Sequence, residues 1–303
     1  MSNLPPILST GTQVVSHIDI TNSAGDVSFA AGAVGVIVKA PTDLNHAYRV
    51  RFMDGTEQTL KREQFSVRSH HQNPTAPDDH LAGVDLYQHV VYRCVVGSRA
   101  YGLDHDESDT DLRGFYLPPA DLHWSLFGLP EQLERGEETY WEIQKFIVLA
   151  LKANPNILEC LYTPLVEHAA PIAQELLDQR HIFMSKLIYQ TYNGYVTSQF
   201  RKLQKDIENH GEIRWKHAMH LIRLLLSGII ALREGEIPVR VPDEYRERLL
   251  AIRHGETPWE DVNAWRLALH KEFDAAFQTT KLPERPDYEA ANAYLVQARR
   301  SVL

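Results

Sequence analysis

The chain has 303 residues, 44% hydrophobic and 23% charged, with a formal net charge of -9. That composition excludes a disordered, collagenous or repeat-built protein, and the acidity argues against coating nucleic acid or membrane through bulk positive charge. With only two cysteines, Cys94 and Cys160, neither a disulfide framework nor a cysteine-based zinc site is available.

Residues 1–68 hold short β-branched or alternating stretches at Thr12–Ser16, Val34–Lys39, Tyr48–Phe52 and Gln58–Leu60. In the third, Tyr48-Arg49-Val50-Arg51-Phe52 alternates faces and then meets Asp54-Gly55, a hairpin turn dipeptide. Several short strands in so few residues predict a small antiparallel barrel of the SH3-like kind, a docking or spacing module. The start of the chain shows no charged segment leading into an apolar run, so no secretory signal is expected. Residues 69–79 are polar and contain Pro74 and Pro77, which reads as a linker. The tandem His70-His71 has no third ligand at useful spacing and reads as solvated.

Residues 80–165 alternate element types. Leu81–Tyr87 predicts a short helix, His89–Val96 a buried strand, and Asp111–Leu117 and Thr139–Ile143 two more strands. Phe146–Lys152 opens a helix that Pro155 interrupts. From 166 to 303 the pattern is mostly helical, with 3.6-residue periodicity over 172–179, 184–208, 215–234 and 261–277. The longest apolar run, Leu224 to Leu232, is far shorter than a membrane span, so a soluble cytoplasmic protein with no membrane partner is expected.

The chemistry concentrates in Val95-Val96-Gly97-Ser98-Arg99-Ala100-Tyr101-Gly102, followed by Ser108-Asp109-Thr110-Asp111-Leu112. A buried strand ends in Gly-Ser, a short helix begins, and two aspartates one residue apart open the next strand. Gly97 permits close approach of a ligand to the backbone, and Ser98 offers a hydroxyl and an N–H. Strand periodicity puts Asp109 and Asp111 on one face, where they repel unless a divalent cation lies between them. Hard oxygen ligands suit magnesium, or manganese, carrying a nucleoside triphosphate. Asp-x-Asp alone is commonly a turn, and Gly-Ser after a strand is common; their order along the chain is what points to a nucleotide.

The segment from Trp215 to Glu234 separates into an apolar stripe (Ala218, Leu221, Ile222, Leu225, Ile229, Leu232) and a polar one (Lys216, His220, Arg223, Ser227). The second stripe is a candidate for holding a triphosphate or an acceptor strand, against the plainer reading of a solvated face. Lys145 reads as a phosphate contact or a surface lysine. Arg99 and Arg113, which flank the aspartates, carry the same pair of readings.

Gly-Ser followed about ten residues later by Asp-x-Asp resembles the DNA polymerase β nucleotidyltransferase superfamily. The wider segment GSRAYGLDHDESDTDLRGFYLPP, with TYWEIQKFIVLALKANPNILECLYTP and KHAMHLIRLLLSGIIALREGEIPVRVP, resembles its YcgL-like or RNA-ligase-associated polymerase-like branch. The resemblance covers roughly 85–255 and leaves the N-terminal barrel outside. Added to the barrel read at 1–68 and the linker at 69–79, the resemblance implies an α+β protein with a nucleotidyltransferase core at 80–165 and a helical domain at 166–303. It also implies a third carboxylate on a neighbouring strand, for which Glu142 is the candidate and Glu138 the competitor. In the implied chemistry Asp109, Asp111 and Glu142 hold two magnesium ions on an NTP. Gly97, Ser98, Arg99, Lys145, Lys216, His220 and Arg223 contact the nucleotide. A nucleoside monophosphate then passes to a hydroxyl of an RNA 3′ end, a protein or a small molecule, with release of pyrophosphate. The competing expectation is a nucleotide-sensing adaptor that binds nucleic acid or a protein partner without catalysis.

Overall fold

Strand alternation shapes the first of the two units into which the chain divides, residues 1–82 and 83–303. The computed structural model describes residues 8–21, 27–41, 46–68, 81, 83–104, 109–211 and 213–303, except the side chains of 206 and 210; the expected linker over 69–79, with its two histidines, lies outside them. In the first unit the strands are β1 (Gln13–Ser16), β2 (Ile20–Thr21), β3 (Val27–Phe29), β4 (Val34–Lys39), β5 (Tyr48–Phe52), β6 (Glu57–Leu60) and β7 (Phe65–Val67). Five of them form one antiparallel sheet in the order β6-β5-β4-β1-β7, and β2 with β3 makes a separate ribbon. Tyr48, Val50 and Phe52 face inward onto Val14, Ile37, Leu60 and Phe65, while Arg51 faces outward and pairs with Glu57 at 2.7 Å. Among the described residues the edge strands β6 and β7 pair only with β5 and β1. The antiparallel sheet expected here is present; among the described residues no ladder closes β6 onto β7, although the three-residue turn Arg62–Gln64 links these two edge strands.

The second unit begins with β8 (Val90–Val96), α1 (Gly97–Tyr101), β9 (Asp111–Tyr116), α2 (Ala120–Trp124), β10 (Gln132–Arg135), β11 (Glu138–Glu142), α3 (Ile143–Leu151), α4 (Pro155–Tyr162) and β12 (Val166–Ala169). Its sheet runs β10-β11-β9-β8-β12, with β9 and β11 parallel and the other pairs antiparallel. One face is apolar and lies under α3 and α4. There the Phe115 ring sits 4.8 Å from Phe146 and 5.5 Å from Tyr92, whose hydroxyl donates to the Cys160 carbonyl at 2.5 Å. Full burial of each such aromatic contributes roughly 1.5–3 kcal/mol. Pro155 starts α4 rather than interrupting one long helix: it occupies the first turn, and the Asn154 side chain caps it by accepting from the Asn156 N–H at 3.0 Å. The helix expected at Leu81–Tyr87 is instead a 3-10 turn at Leu86–His89, capped by Asp85.

The rest is helical: α5 (Pro171–Asp178), α6 (Leu187–His210), α7 (Trp215–Glu234), α8 (Asp243–Arg253), α9 (Trp259–Thr279) and α10 (Tyr288–Arg300). Helix α7 is the hub, packed against α6, α8 and α9. It is buried almost all round, Arg223 and Ser227 included, so the polar stripe faces protein there rather than solvent. At Gly228 a Cβ would lie 2.8 Å from the Phe273 ring, so only glycine lets α9 approach this closely. Sheet and helices share one hydrophobic cluster. Among the described residues no helix is long and apolar enough to cross a membrane.

Candidate functional site

Asp111 opens β9 directly opposite Val96, the last residue of β8, which sets its carboxylate beside the turn into α1. Gly97 takes φ +74 at that turn, and a Cβ there would lie 2.4 Å from Asp111 Oδ2. The missing side chain is what lets the carboxylate lie against the backbone. Asp111 Oδ1 sits 3.2 Å from Arg113 Nη2, while Arg113 Nη1 donates to the carbonyls of Leu112 (2.8 Å) and Glu137 (2.7 Å). Three contacts thus fix a cation beside the carboxylate. Asp109 is exposed two residues before the strand begins. Ser98 is half-buried and Arg99 exposed in the single turn of α1. From the helical side, Arg246 Nε donates to the Gly102 carbonyl at 2.9 Å, Arg253 to that of Leu103, and the Val241 N–H to that of Tyr101 at 3.1 Å. These bonds hold the segment that leads from the Gly-Ser turn toward the aspartates.

A cavity of about 310 Å³ lies here, bordered by Gly97, Asp111, Arg113, Thr139, Trp141 and Glu159. Strand parity decides which β11 side chains reach it. Thr139 and Trp141 do, so Glu138 and Glu142, at alternate positions, lie on the other face. Glu142 also pairs with Tyr116, five residues along β9 from Asp111, about 16 Å away at the rise of a strand. Its Oε2 caps α3 by accepting from the N–H groups of Gln144 (2.8 Å) and Lys145 (3.2 Å), and its Oε1 lies 3.6 Å from Arg299 Nη2. Lys145 Nζ bonds Glu131 Oε2 at 2.5 Å. Glu142 and Lys145 border a separate cavity of about 340 Å³. The structure therefore does not bring Glu142 or Lys145 to the aspartates. Glu138 fails for the same reason of face, and accepts from the Tyr140 hydroxyl at 3.0 Å.

Tyr101 and Asn156 border both the Asp111 cavity and a second one, of about 350 Å³, set between α4, α6 and α7. Beneath them runs a buried polar chain. Glu159 Oε2 accepts from the Tyr101 hydroxyl at 2.6 Å, and Oε1 accepts from Arg223 Nη1 at 2.7 Å. The Arg223 guanidinium also lies 3.6 Å over the Tyr101 ring. Burial, then the Glu159 carboxylate, push the Tyr101 pKa up, so the hydroxyl stays a donor. His220 borders the second cavity with its ring 6.2 Å from Tyr101, and Lys216 is exposed one turn earlier. Of the expected stripe, only His220 and Arg223 reach the cleft, and Arg223 reaches it already paired.

Residue types alone did not mark Thr139, Trp141 or Gln199 for this cleft. Thr139 and Trp141 carry a signal, alternation along β11, that becomes usable only once its register with β9 is known. Gln199, on α6, carries none, because tertiary packing alone brings it to the second cavity.

Among the described residues no three His, Cys, Asp or Glu side chains gather as a metal cage. One hard carboxylate, Asp111, cradled against a glycine, borders the cavity, and Asp109 lies exposed two residues earlier in the chain. Magnesium is commonly held by one or two carboxylates plus substrate phosphates, and these residues fit one ion held in that way.

A family model described as RNA repair pathway DNA polymerase beta family matches residues 61–297. Among curated proteins the chain is similar to one called Uncharacterized protein YcgL, from Bacillus subtilis (strain 168). The two are 27% identical over 154 residues, 49% of this chain and 58% of that protein, so the chain spans less than two thirds of that relative's length. No solved structure matches the chain.

Proposed function

This chain belongs to the RNA repair pathway DNA polymerase beta family, and we propose that it transfers a nucleoside monophosphate from an NTP to a hydroxyl acceptor, releasing pyrophosphate. The observation that carries this reading is the Asp111 carboxylate set against Gly97 at the turn from β8 into α1. Asp109 and Asp111 would hold magnesium, which when bound neutralises charge building up on the triphosphate. Gly97 lets the Asp111 carboxylate lie against the backbone, with Ser98 and Arg99 in the same turn as the groups that would meet phosphate. Arg113, fixed by Asp111 and two carbonyls, adds positive charge at the same edge. With Thr139 and Trp141 on this face of β11, that strand supplies no carboxylate base for the acceptor hydroxyl. Exposed Arg201, Lys202, Lys205 and Lys216 on α6 and α7 support a polyanionic acceptor, an RNA 3′ end. The first unit is read as a docking module for it, and the buried free thiols Cys94 and Cys160 support a reducing, cytoplasmic setting.

With Thr139 and Trp141 rather than a carboxylate bordering the cavity, β11 also favours a second reading, a site that binds nucleotide as a sensor. Incubation with α-phosphate-labelled NTPs, magnesium or manganese and an RNA mixture separates the two. The transfer reading expects labelled RNA and released pyrophosphate, with both falling more than about a hundredfold in Asp111→Asn. Bound NTP without pyrophosphate release, across all acceptors, would leave the sensor.

A further inference from the structure

The resemblance implies two magnesium ions shared by carboxylates on neighbouring strands, and the Asp111 cavity does not fit the second of them. On β11 the side chains that border the cavity are Thr139 and Trp141, while Glu142 caps α3 on the other face. Glu137, the residue before β11, is exposed and does not border the cavity. The remaining carboxylate there, Glu159, already accepts from Arg223 Nη1 at 2.7 Å and from the Tyr101 hydroxyl at 2.6 Å.

The space between the two strands holds a cation of the chain's own. Arg113 lies two residues after Asp111 on the same face of β9 and pairs with Thr139 across the parallel ladder. Its Nη2 lies 3.2 Å from Asp111 Oδ1, and its Nη1 donates to the carbonyls of Leu112 at 2.8 Å and Glu137 at 2.7 Å. The first two groups belong to β9 and the third leads into β11, so the guanidinium bridges the strands. Its Nε and one Nη2 hydrogen have no partner among the described residues, and the side chain is 25% exposed, enough for phosphate oxygens to reach it. A second divalent cation beside it would meet like charge at close range, with only Asp111 to offset both.

We propose that Arg113 takes the place of the second metal ion: the site works with one magnesium, and the Arg113 guanidinium is the catalytic cation on the α-phosphoryl group. The inference rests on the nucleotidyltransfer reading. In the step, the acceptor oxygen bonds to the α-phosphorus and its proton passes to solvent water. The bond from that phosphorus to the pyrophosphate oxygen breaks, and its electron pair leaves with pyrophosphate. Charge on the α-phosphoryl oxygens is met by the free Nε–H and Nη2–H of Arg113, donors that are always charged and are held in place before the step begins.

Manganese counted by electron paramagnetic resonance tests this on the full chain, with each α,β-methylene NTP in turn and an oligoribonucleotide ending in a free 3′-hydroxyl. With the chain in excess, one manganese per bound nucleotide is expected in the wild type and in Glu137→Gln, and the two are expected to transfer at the same rate. Two ions per nucleotide, or a tenfold or larger loss of transfer in Glu137→Gln, would overturn the proposal. Arg113→Gln is expected to lower kcat at least about a hundredfold while KM for the NTP rises less than about tenfold, and Arg113→Lys, which keeps the charge, to recover at least about tenfold. An unchanged kcat in Arg113→Gln, or equal losses in the two variants, also overturns it. Thermal melts establish that the variants fold; if they do not, the manganese count on the wild type still decides. If one ion is bound per nucleotide while no NTP is turned over with any acceptor, the transfer reading falls and the one-ion site stands. If two are bound and the acceptor is labelled, the one-ion site falls and transfer stands.

Discussion

At Gly97 one missing methyl group decides where a carboxylate can lie. An alanine there would bring its Cβ to 2.4 Å from Asp111 Oδ2 and would hold an L-residue at φ +74. The backbone cost is about 1–2 kcal/mol, small beside the stability of a unit of this size, but the carboxylate must move. Gly97→Ala is therefore expected to lower the melting temperature by only a few degrees while nucleotide transfer falls at least about tenfold. Thermal melts and labelled-NTP assays on one preparation measure both; unchanged transfer would detach Gly97 from the site. The closeness of Gly97 and Asp111 was legible in the sequence because it is local, a few residues around one strand end. Glu142 was misleading for a physical reason. Its neighbours Trp141 and Ile143 fit a strand, but the face a strand residue takes depends on its register with β9, which a single sequence does not state. The same carboxylate type serves as a helix cap there.

Among the elements, α1, α4 and α7 are tied by the contacts of Tyr101, Glu159 and Arg223. Glu159 is 2% exposed, so loss of either charged partner strands the other in a medium that cannot solvate it. Glu159→Gln and Arg223→Met are each expected to destabilise residues 83–303 by about 3–5 kcal/mol. The double variant Glu159→Gln with Arg223→Met should recover much of that loss, because no unpaired charge remains. Urea titrations of the three variants measure the coupling, and additive losses would show that the pair does not join the helices. Helices with strong periodicity, α6, α7 and α9, were legible almost to their ends. Helix α8 was not, because in Asp243–Arg253 only Leu249 and Ile252 are buried, and α10 buries Ala291, Tyr294 and Ala298, a stripe mostly of small residues. Strands β10 and β12 are short, mostly exposed edge strands whose sequences carry little apolar alternation.

At the scale of the whole molecule, two hydrophobic clusters with no residue in common lie in the two units. The smaller one gathers Val14, Ile20, Ile37, Tyr48, Val50, Phe52, Leu60 and Phe65. A sheet of about 60 residues buries a smaller share of its surface than a larger domain does and commands a stability of only about 3–9 kcal/mol. Removing the Phe52 ring, 4% exposed and stacked 5.8 Å from Phe29, costs about 3–5 kcal/mol and so takes much of that stability. Calorimetry of the full chain is therefore expected to show two transitions, with Phe52→Ala moving the one that belongs to residues 1–82 and leaving the other in place. NTP binding should persist in Phe52→Ala, because the Asp111 cavity and its neighbour are built wholly from residues 96–224. A single transition that shifts as a whole would mean that the first unit is folded into the stability of the second. The N-terminal sheet would then support the nucleotide site itself, and its role as a separate docking module for the acceptor would be lost.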